Sequence, residues 1–186
     1  MMRLYQKMAE QNVEAWLRGV LPGIHPVIAH LVRASEQIRE EIAGALEPLS
    51  VRELWAAPGG MTSAGFHARH LAGSTRRLCT YLGGRELSAA QVAEIAAEGT
   101  GTEAAGELIA LVNEAFDRYD ALVRSLAPED FGALRYVGRK RLETSAISLA
   151  IHIAEHGQRH VGQAVSAAKL ARSGALELPA PRSPRR

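Results

Sequence analysis

Five of the chain's seven histidines fall in two short clusters. The first lies in Gly65-Phe66-His67-Ala68-Arg69-His70-Leu71-Ala72-Gly73-Ser74. The second lies in His152-Ile153-Ala154-Glu155-His156-Gly157-Gln158-Arg159-His160-Val161-Gly162-Gln163. Two histidines four residues apart on a helix point the same way and can chelate one ion. A third from a facing helix completes a three-nitrogen site. Zinc, nickel and iron all accept imidazole, and three protein ligands leave coordination positions open for water or substrate. Without partners, each buried imidazole would cost on the order of 1–3 kcal/mol. His25 and His30 stand outside the clusters and read as ordinary core or surface residues.

At about 100° per residue, helical positions four apart are offset by about 40°, so His152, His156 and His160 form one slanted stripe. With His152 at zero, the apolar arc of Leu149, Ala150, Ile153, Ala154, Val161 and Ala164 spans roughly 60° to 220°. His160 falls inside that arc, His156 at its edge and His152 beyond it, nearer solvent or a cleft mouth. In the first cluster His67 and His70 share a face with Ser63, Ser74 and Leu78, and the wheel does not choose between them as the third ligand.

Two metalloprotease patterns are tested by the same stripe. His156-Gly157-Gln158-Arg159-His160 has glycine where a zinc protease of the H-E-x-x-H kind needs its general-base glutamate. His152-Ile153-Ala154-Glu155-His156 fits H-x-x-E-H. Glu155, however, points away from the stripe, at about 300°, and the only acid downstream of His156 is Glu177. A protease is therefore set aside.

Both clusters need helices to present them, and the periodicity supplies these. Apolar residues recur at three- and four-residue spacings and alternating stretches are short, so the chain reads as all-α. A helix is expected over about 4–18, ended by Gly19 to Gly23. A long one follows from Pro26 to Leu46, with Val27, Leu31, Ala34, Ile38, Ile42 and Ala45 on one face. Ser50 caps a short turn to Leu54, and Pro58-Gly59-Gly60 is a loop. The first histidine cluster rides a helix from Thr62 or Ser63 to Leu82, closed by Gly83-Gly84. A lesser helix runs from Ser88 to Ala97 and a long one from about Glu103 to Leu126. Phe131 to Arg141 reads as irregular with a short extended piece. The second cluster rides a helix from about Thr144 to Ala171, capped by Thr144 or Ser145. The expected architecture is a four-helix bundle with additional short helices. It forms one domain over 1–173, with the bundle at about 25–173 and a flexible Pro/Arg-rich tail at 174–186.

The composition narrows the function classes. The 186 residues carry 47% hydrophobic and 23% charged side chains, as expected of a globular chain. No apolar run approaches the ~20 residues of a bilayer span. The first residues lack the apolar core of a secretory signal, which predicts a cytoplasmic protein. A single cysteine, Cys79, excludes an internal disulfide; it lies about 180° from His70 on the wheel and reads as a buried structural thiol. With 22 Lys+Arg against 20 Asp+Glu the net charge is only +2. That argues against nucleic acid as a partner, although Arg139-Lys140-Arg141 precedes the second histidine helix. Gly157 and Gly162 each cost that helix roughly 1 kcal/mol against alanine; close packing beside the metal is the expected reason.

Three pieces of the sequence together resemble the DinB-like superfamily of helical-bundle metalloenzymes. They are Pro58-Gly59-Gly60-Met61 leading to Arg69-His70-Leu71-Ala72-Gly73-Ser74, the run Glu155-His156-Gly157-Gln158-Arg159-His160-Val161-Gly162-Gln163, and the opening Trp16-Leu17-Arg18-Gly19 with His25-Pro26. The resemblance covers about Trp16 to Ser173. It implies a four-helix bundle holding one divalent metal ion (zinc, nickel or iron) on His70, His156 and His160. His67 and His152 remain as residues beside the ligands or lining the cleft. Ser74, Gln163 or a backbone carbonyl is left to accept the far N–H of a ligating ring. Relatives include transferases and isomerases that use low-molecular-weight thiols, which implies a small-molecule substrate and a thiol cosubstrate. In that reading the metal favours the reactive thiolate. A hydrolase reading instead needs metal-activated water and a nearby carboxylate base, and no acid shares the stripe. A non-catalytic metal- or ligand-binding stress protein is the further alternative. The resemblance also implies a homodimer.

Overall fold

The computed structural model describes residues 13–99 and 101–173. Among the described residues six α-helices follow in order: α1 (Pro26–Leu46), α2 (Val51–Leu54), α3 (Ala64–Leu82), α4 (Ala89–Ala93), α5 (Ala105–Arg124) and α6 (Ala146–Arg172). A two-stranded antiparallel hairpin, β1 (Leu134–Val137) and β2 (Leu142–Ser145), precedes α6.

The ends of these helices follow from their capping chemistry. His25 accepts the Val27 amide through Nδ1, with Pro26 in the first turn of α1, where its missing N–H is no loss. Ser50 and Glu53 form a reciprocal capping box for α2. Ser63 accepts from Phe66 N at the start of α3, and Ser145 accepts from Ser148 N at the start of α6. Gly83 caps α3, and Gly84 beside it takes φ +73°, a conformation that favours glycine.

The shorter elements and the face of α1 differ in detail from expectation. The helix at about 4–18 falls mostly outside the described residues, and its described end holds a single 3-10 turn, Ala15–Leu17. The short extended piece expected within Phe131 to Arg141 is β1, and it pairs with β2 just beyond that stretch, Leu134 with Ser145 and Val137 with Leu142. The core face of α1 is turned slightly. Ile28, Leu31, Ser35, Ile38, Ile42 and Leu46 are buried, while Val27 is exposed and Ala45 borders a surface groove. In addition, the helix expected from Ser88 to Ala97 divides into α4 and a 3-10 turn, Glu94–Ala97. The tail at 174–186 lies outside the described residues.

The four long helices enclose one core. Leu31, Ile38 and Ile42 meet Leu71 and Leu82, Val112, Phe116 and Tyr119, and Leu149, Ile153 and Val161 there. Tyr119 keeps its hydroxyl satisfied by donating to Ala150 O at 3.0 Å. Helices α1 and α3 lie diagonally opposite, each packed against both α5 and α6. Pairings along the helices set their directions. Arg39 on α1 reaches Asn113 O, Asp117 and Asp120 on α5, while Gly23 to Ile28 lie near Arg124 and Leu126, so α1 and α5 are antiparallel. On α3, His67 meets His160 and His70 neighbours His156, so α3 and α6 are antiparallel. The first part of α1, Pro26 to Ala34, lies beside Ile151 to Gln158 and its end, Glu41 to Ala45, beside Val161 to Arg172, so α1 and α6 are parallel. Helices α3 and α5 therefore run parallel, and the chain between them must travel back along α3.

Close approach explains one of the two glycines of α6. A Cβ on Gly157 would stand 2.5 Å from Ile38 Cδ1 and 3.3 Å from Phe116 Cζ, both on fully buried side chains. A Cβ on Gly162 would meet nothing within 4 Å. The two substitutions should therefore have opposite signs. Gly162→Ala should gain up to about 1 kcal/mol of helix propensity. Gly157→Ala should lose stability on balance, because overpacking costs about 1–3 kcal/mol against the same gain. Urea unfolding of the two variants measures both; a Gly157→Ala protein as stable as Gly162→Ala would contradict the packing argument.

Candidate metal centre

The antiparallel contact of α3 and α6 brings four imidazoles together. His70, His156 and His160 each offer one ring nitrogen, and these three atoms lie within 4.8 Å of one another. Ring centroids are 4.6 Å apart for His70 and His160, 4.5 Å for His156 and His160, and 5.5 Å for His70 and His156. All three rings are partly buried. Phe66 stacks on His70 at 5.5 Å with 12° between the planes, and its ring meets His67 edge-on. This aromatic wall covers the α3 side of the cluster.

Each ring has a different neighbour behind it. His70 donates from Nδ1 to Glu98 Oε2 at 2.6 Å. The other Glu98 oxygen, Oε1, accepts from Arg77 Nη1 at 2.7 Å. Glu98 and Arg77 are both buried. His160 Nδ1 is 3.1 Å from His67 Nδ1, and His67 Nε2 is 2.7 Å from Thr62 Oγ1. With a proton on His160 Nδ1, His67 accepts it there and donates its own Nε2–H to Thr62. Nε2 is then the nitrogen left free on both His70 and His160. His156 has Nδ1 buried with no hydrogen-bond partner.

The DinB superfamily matches residues 34–164, a span that contains every histidine of the cluster. The chain belongs to the DinB superfamily. No curated protein and no solved structure matches the chain.

The residues of this DinB-superfamily chain fit a divalent cation on three grounds. The three donor atoms are close enough to share one ion. The ligand set is imidazole alone, which suits zinc, nickel or iron. The orphaned His156 nitrogen is also the kind of buried polar atom that proteins rarely leave unsatisfied. Electrostatics favour the same state. Burial, then the neighbouring His70, His152 and cationic arginines, pulls His156 down to about 4. Burial, then His156, His70 and His67, pulls His160 down to about 3. His67 is also lowered, by burial and then by His70. Rings held neutral keep the lone pair that a metal needs. Burial pushes the Glu98 carboxyl up, but hydrogen bonds from His70 and Arg77 outweigh it and hold the group below its ordinary value.

The remaining candidate residues are placed as follows. His152 is exposed, its centroid 5.9 Å from that of His156, at the edge of the cluster. Ser74 is buried but donates to Leu71 O in its own helix. Gln163 is exposed. The partners expected of Ser74 or Gln163 are instead Glu98 at His70 and His67 at His160. Cys79 is fully buried and its thiol is pushed up to about 12 by desolvation.

Glu98 is the residue that sequence reasoning missed. It sits at the end of the 3-10 turn Glu94–Ala97, 28 residues from its histidine. A signal was present in the charges. Glu94, Glu98 and Glu103 on the returning connection pair with Arg76, Arg77 and Arg69 on α3. Gly73 was a second signal, because a Cβ there would stand 2.5 Å from Glu98 Oε1.

A pH dependence follows for the metal-free chain. Unfolded histidines take up protons below about 6.5, while folded His156 and His160 resist until about 4 and 3. The unfolded state then binds more protons, so stability falls as pH drops through that window. Chelator-treated protein should show a lower urea midpoint at pH 5 than at pH 7.5, with His160→Gln reducing the difference. A midpoint unchanged between these pH values would contradict the burial of the rings.

Proposed function

We propose that this chain is a metal-dependent enzyme in which His70, His156 and His160 hold one divalent ion, and that its cosubstrate is a low-molecular-weight thiol. The observation that carries this reading is the donor set: three imidazoles from two helices, close enough to share an ion and including no carboxylate. A divalent ion bound there would supply Lewis acidity, favouring the thiolate form of a cosubstrate at neutral pH.

The protein's own residues divide the remaining work. Glu98 and Arg77 hold His70 from behind. Thr62 and His67 form a hydrogen-bonded pair behind His160 that fixes its Nδ1 side. Phe66 covers the ring of His70 and keeps water from that face. His152 stands exposed at the edge of the cluster, 5.9 Å from His156 between ring centroids.

The positions of the carboxylates favour a thiol over water as the nucleophile. A metal hydrolase needs a free carboxylate or equivalent base near the attacking water. Glu98 is the carboxylate hydrogen-bonded to the cluster, and both of its oxygens are engaged, one by His70 and one by Arg77. A thiol, already acidic enough to ionise beside a metal, does not need that base.

Elemental mass spectrometry of tag-free protein is the test of the metal. About one equivalent of zinc, nickel or iron is expected in the wild type and much less in His156→Ala. Cobalt-substituted protein then tests the thiol. Adding 2-mercaptoethanol or cysteine should produce a sulfur-to-cobalt charge-transfer band absent from the His156→Ala protein. Metal retention without a thiol-induced band would reject the thiol cosubstrate; no metal, even after add-back, would reject the enzyme reading altogether.

A further inference from the structure

We propose that Glu98 is a positioning residue of the metal centre: anchored by Arg77 and admitted by Gly73, it fixes His70 with Nδ1–H directed backward and Nε2 available to the ion. The inference rests on the three-histidine reading above for its function, and on geometry alone for the hydrogen-bond relay.

Four observations carry it. First, the contacts are short and specific: Glu98 Oε2 to His70 Nδ1 at 2.6 Å and Glu98 Oε1 to Arg77 Nη1 at 2.7 Å. Second, Glu98 is 5% exposed and Arg77 8%, so neither is an ordinary surface charge. A pair of buried charges is costly unless its geometry and hydrogen bonding are good, and surface pairs are the common alternative. Third, the segment that carries Glu98 is tied down on both sides. Arg69 donates to Ala97 O at 2.7 Å and pairs with Glu103, while Gln91 donates to Thr80 Oγ1 at 2.8 Å. Trp55 secures the far end by donating to Glu103 O at 3.1 Å. Fourth, Gly73, one turn beyond His70, leaves the space that Glu98 Oε1 fills; a Cβ there would also come within 3.0 Å of Arg77 Nη1.

The chemistry explains why such a group would be built. A neutral imidazole has two tautomers, and only the one with hydrogen on Nδ1 offers Nε2 as a ligand. A carboxylate behind a ligating histidine selects that tautomer, fixes the plane of the ring and raises its basicity. His70 is the one ligand supplied by α3, so its ring must be aimed across the helix interface without help from a neighbour four residues away. His156 and His160 share one helix and orient together. The residue from the other helix is the one that has the carboxylate.

The test uses Glu98→Ala, Glu98→Gln and Gly73→Ala in the full chain. Gly73→Ala leaves both charges in place and displaces the carboxylate by bulk, so it remains informative if Glu98→Ala fails to fold. Zinc affinity, measured by competition with a chromophoric chelator, should fall roughly 10- to 100-fold in Glu98→Ala and Gly73→Ala. Glu98→Gln keeps an acceptor and should recover part of the loss. In parallel, two-bond nitrogen–proton NMR of the metal-free proteins reads the His70 tautomer directly. The wild type and Glu98→Gln should show hydrogen on Nδ1, and the two alanine variants should show mixed tautomers. Wild-type zinc affinity in both alanine variants, or a His70 tautomer unchanged in them, would overturn the proposal, including the case where only thermal stability falls. If the wild type binds no zinc, the metal reading fails and the NMR comparison alone decides the relay: hydrogen on His70 Nδ1 lost in Gly73→Ala upholds it, and an unchanged ring refutes it.

Discussion

Helices α3 and α5 lie side by side in the same direction, and no tight turn can join two parallel helices. Helix α3 has 19 residues and is therefore about 28 Å long. The chain leaving its end at Leu82 must cover most of that distance in reverse before α5 begins at Ala105. A connection of this kind is common in helical bundles with crossovers. Here its path is recorded by its contacts. Gln91 meets Thr80, Glu94 meets Arg76, Glu98 meets Arg77 and His70, and Glu103 meets Arg69. Topology thus delivers an acidic side chain to the back of a histidine, at a place where the four long helices alone supply none.

The energetics of the interior favour the same arrangement. Imidazoles gathered at a helix interface lose hydration, and burial holds His156 and His160 neutral far below their ordinary values. Neutral rings still need hydrogen-bond partners. Glu98 supplies one for His70 and His67 supplies one for His160, while His156 Nδ1 has none. Burying Glu98 would be prohibitive by itself; Arg77 offsets it with an opposite charge and a second hydrogen bond. Small residues sit where these elements come closest: Gly73 under Glu98, and Gly157 against Ile38 and Phe116. A side chain at Gly73 would displace the Glu98 carboxylate, and one at Gly157 would crowd Ile38 and Phe116.

Much of this was legible in the sequence because it repeats at helical spacing. The three-residue and four-residue recurrence of Leu149, Ile153, Ala154, Val161 and Ala164 placed the buried face of α6, and all five are buried. The same wheel put His160 and His156 toward the interior and His152 outside. Ser50, Ser63 and Ser145 marked helix starts because side-chain oxygens satisfy free amide groups there. What periodicity could not convey were contacts made across long separations. Glu98 follows a short 3-10 turn and precedes Gly99, with no repeating pattern to orient it, and its partners are 21 and 28 residues away. The hairpin after Phe131 has strands of only four residues, too short for alternation to stand out. The turn of the α1 face toward Ile28 and Leu46 came from its packing on α5 and α6, which a single helical wheel does not contain.

X-ray absorption spectroscopy at the zinc edge, on protein loaded with one equivalent and freed of excess, identifies and counts the atoms around the ion. His70, His156 and His160 should give the multiple-scattering pattern of three imidazoles, with nitrogens at roughly 2.0–2.1 Å and one or more oxygen ligands completing the shell. A shell of oxygens alone, or one in which sulfur from Cys79 takes part, would contradict that ligand set.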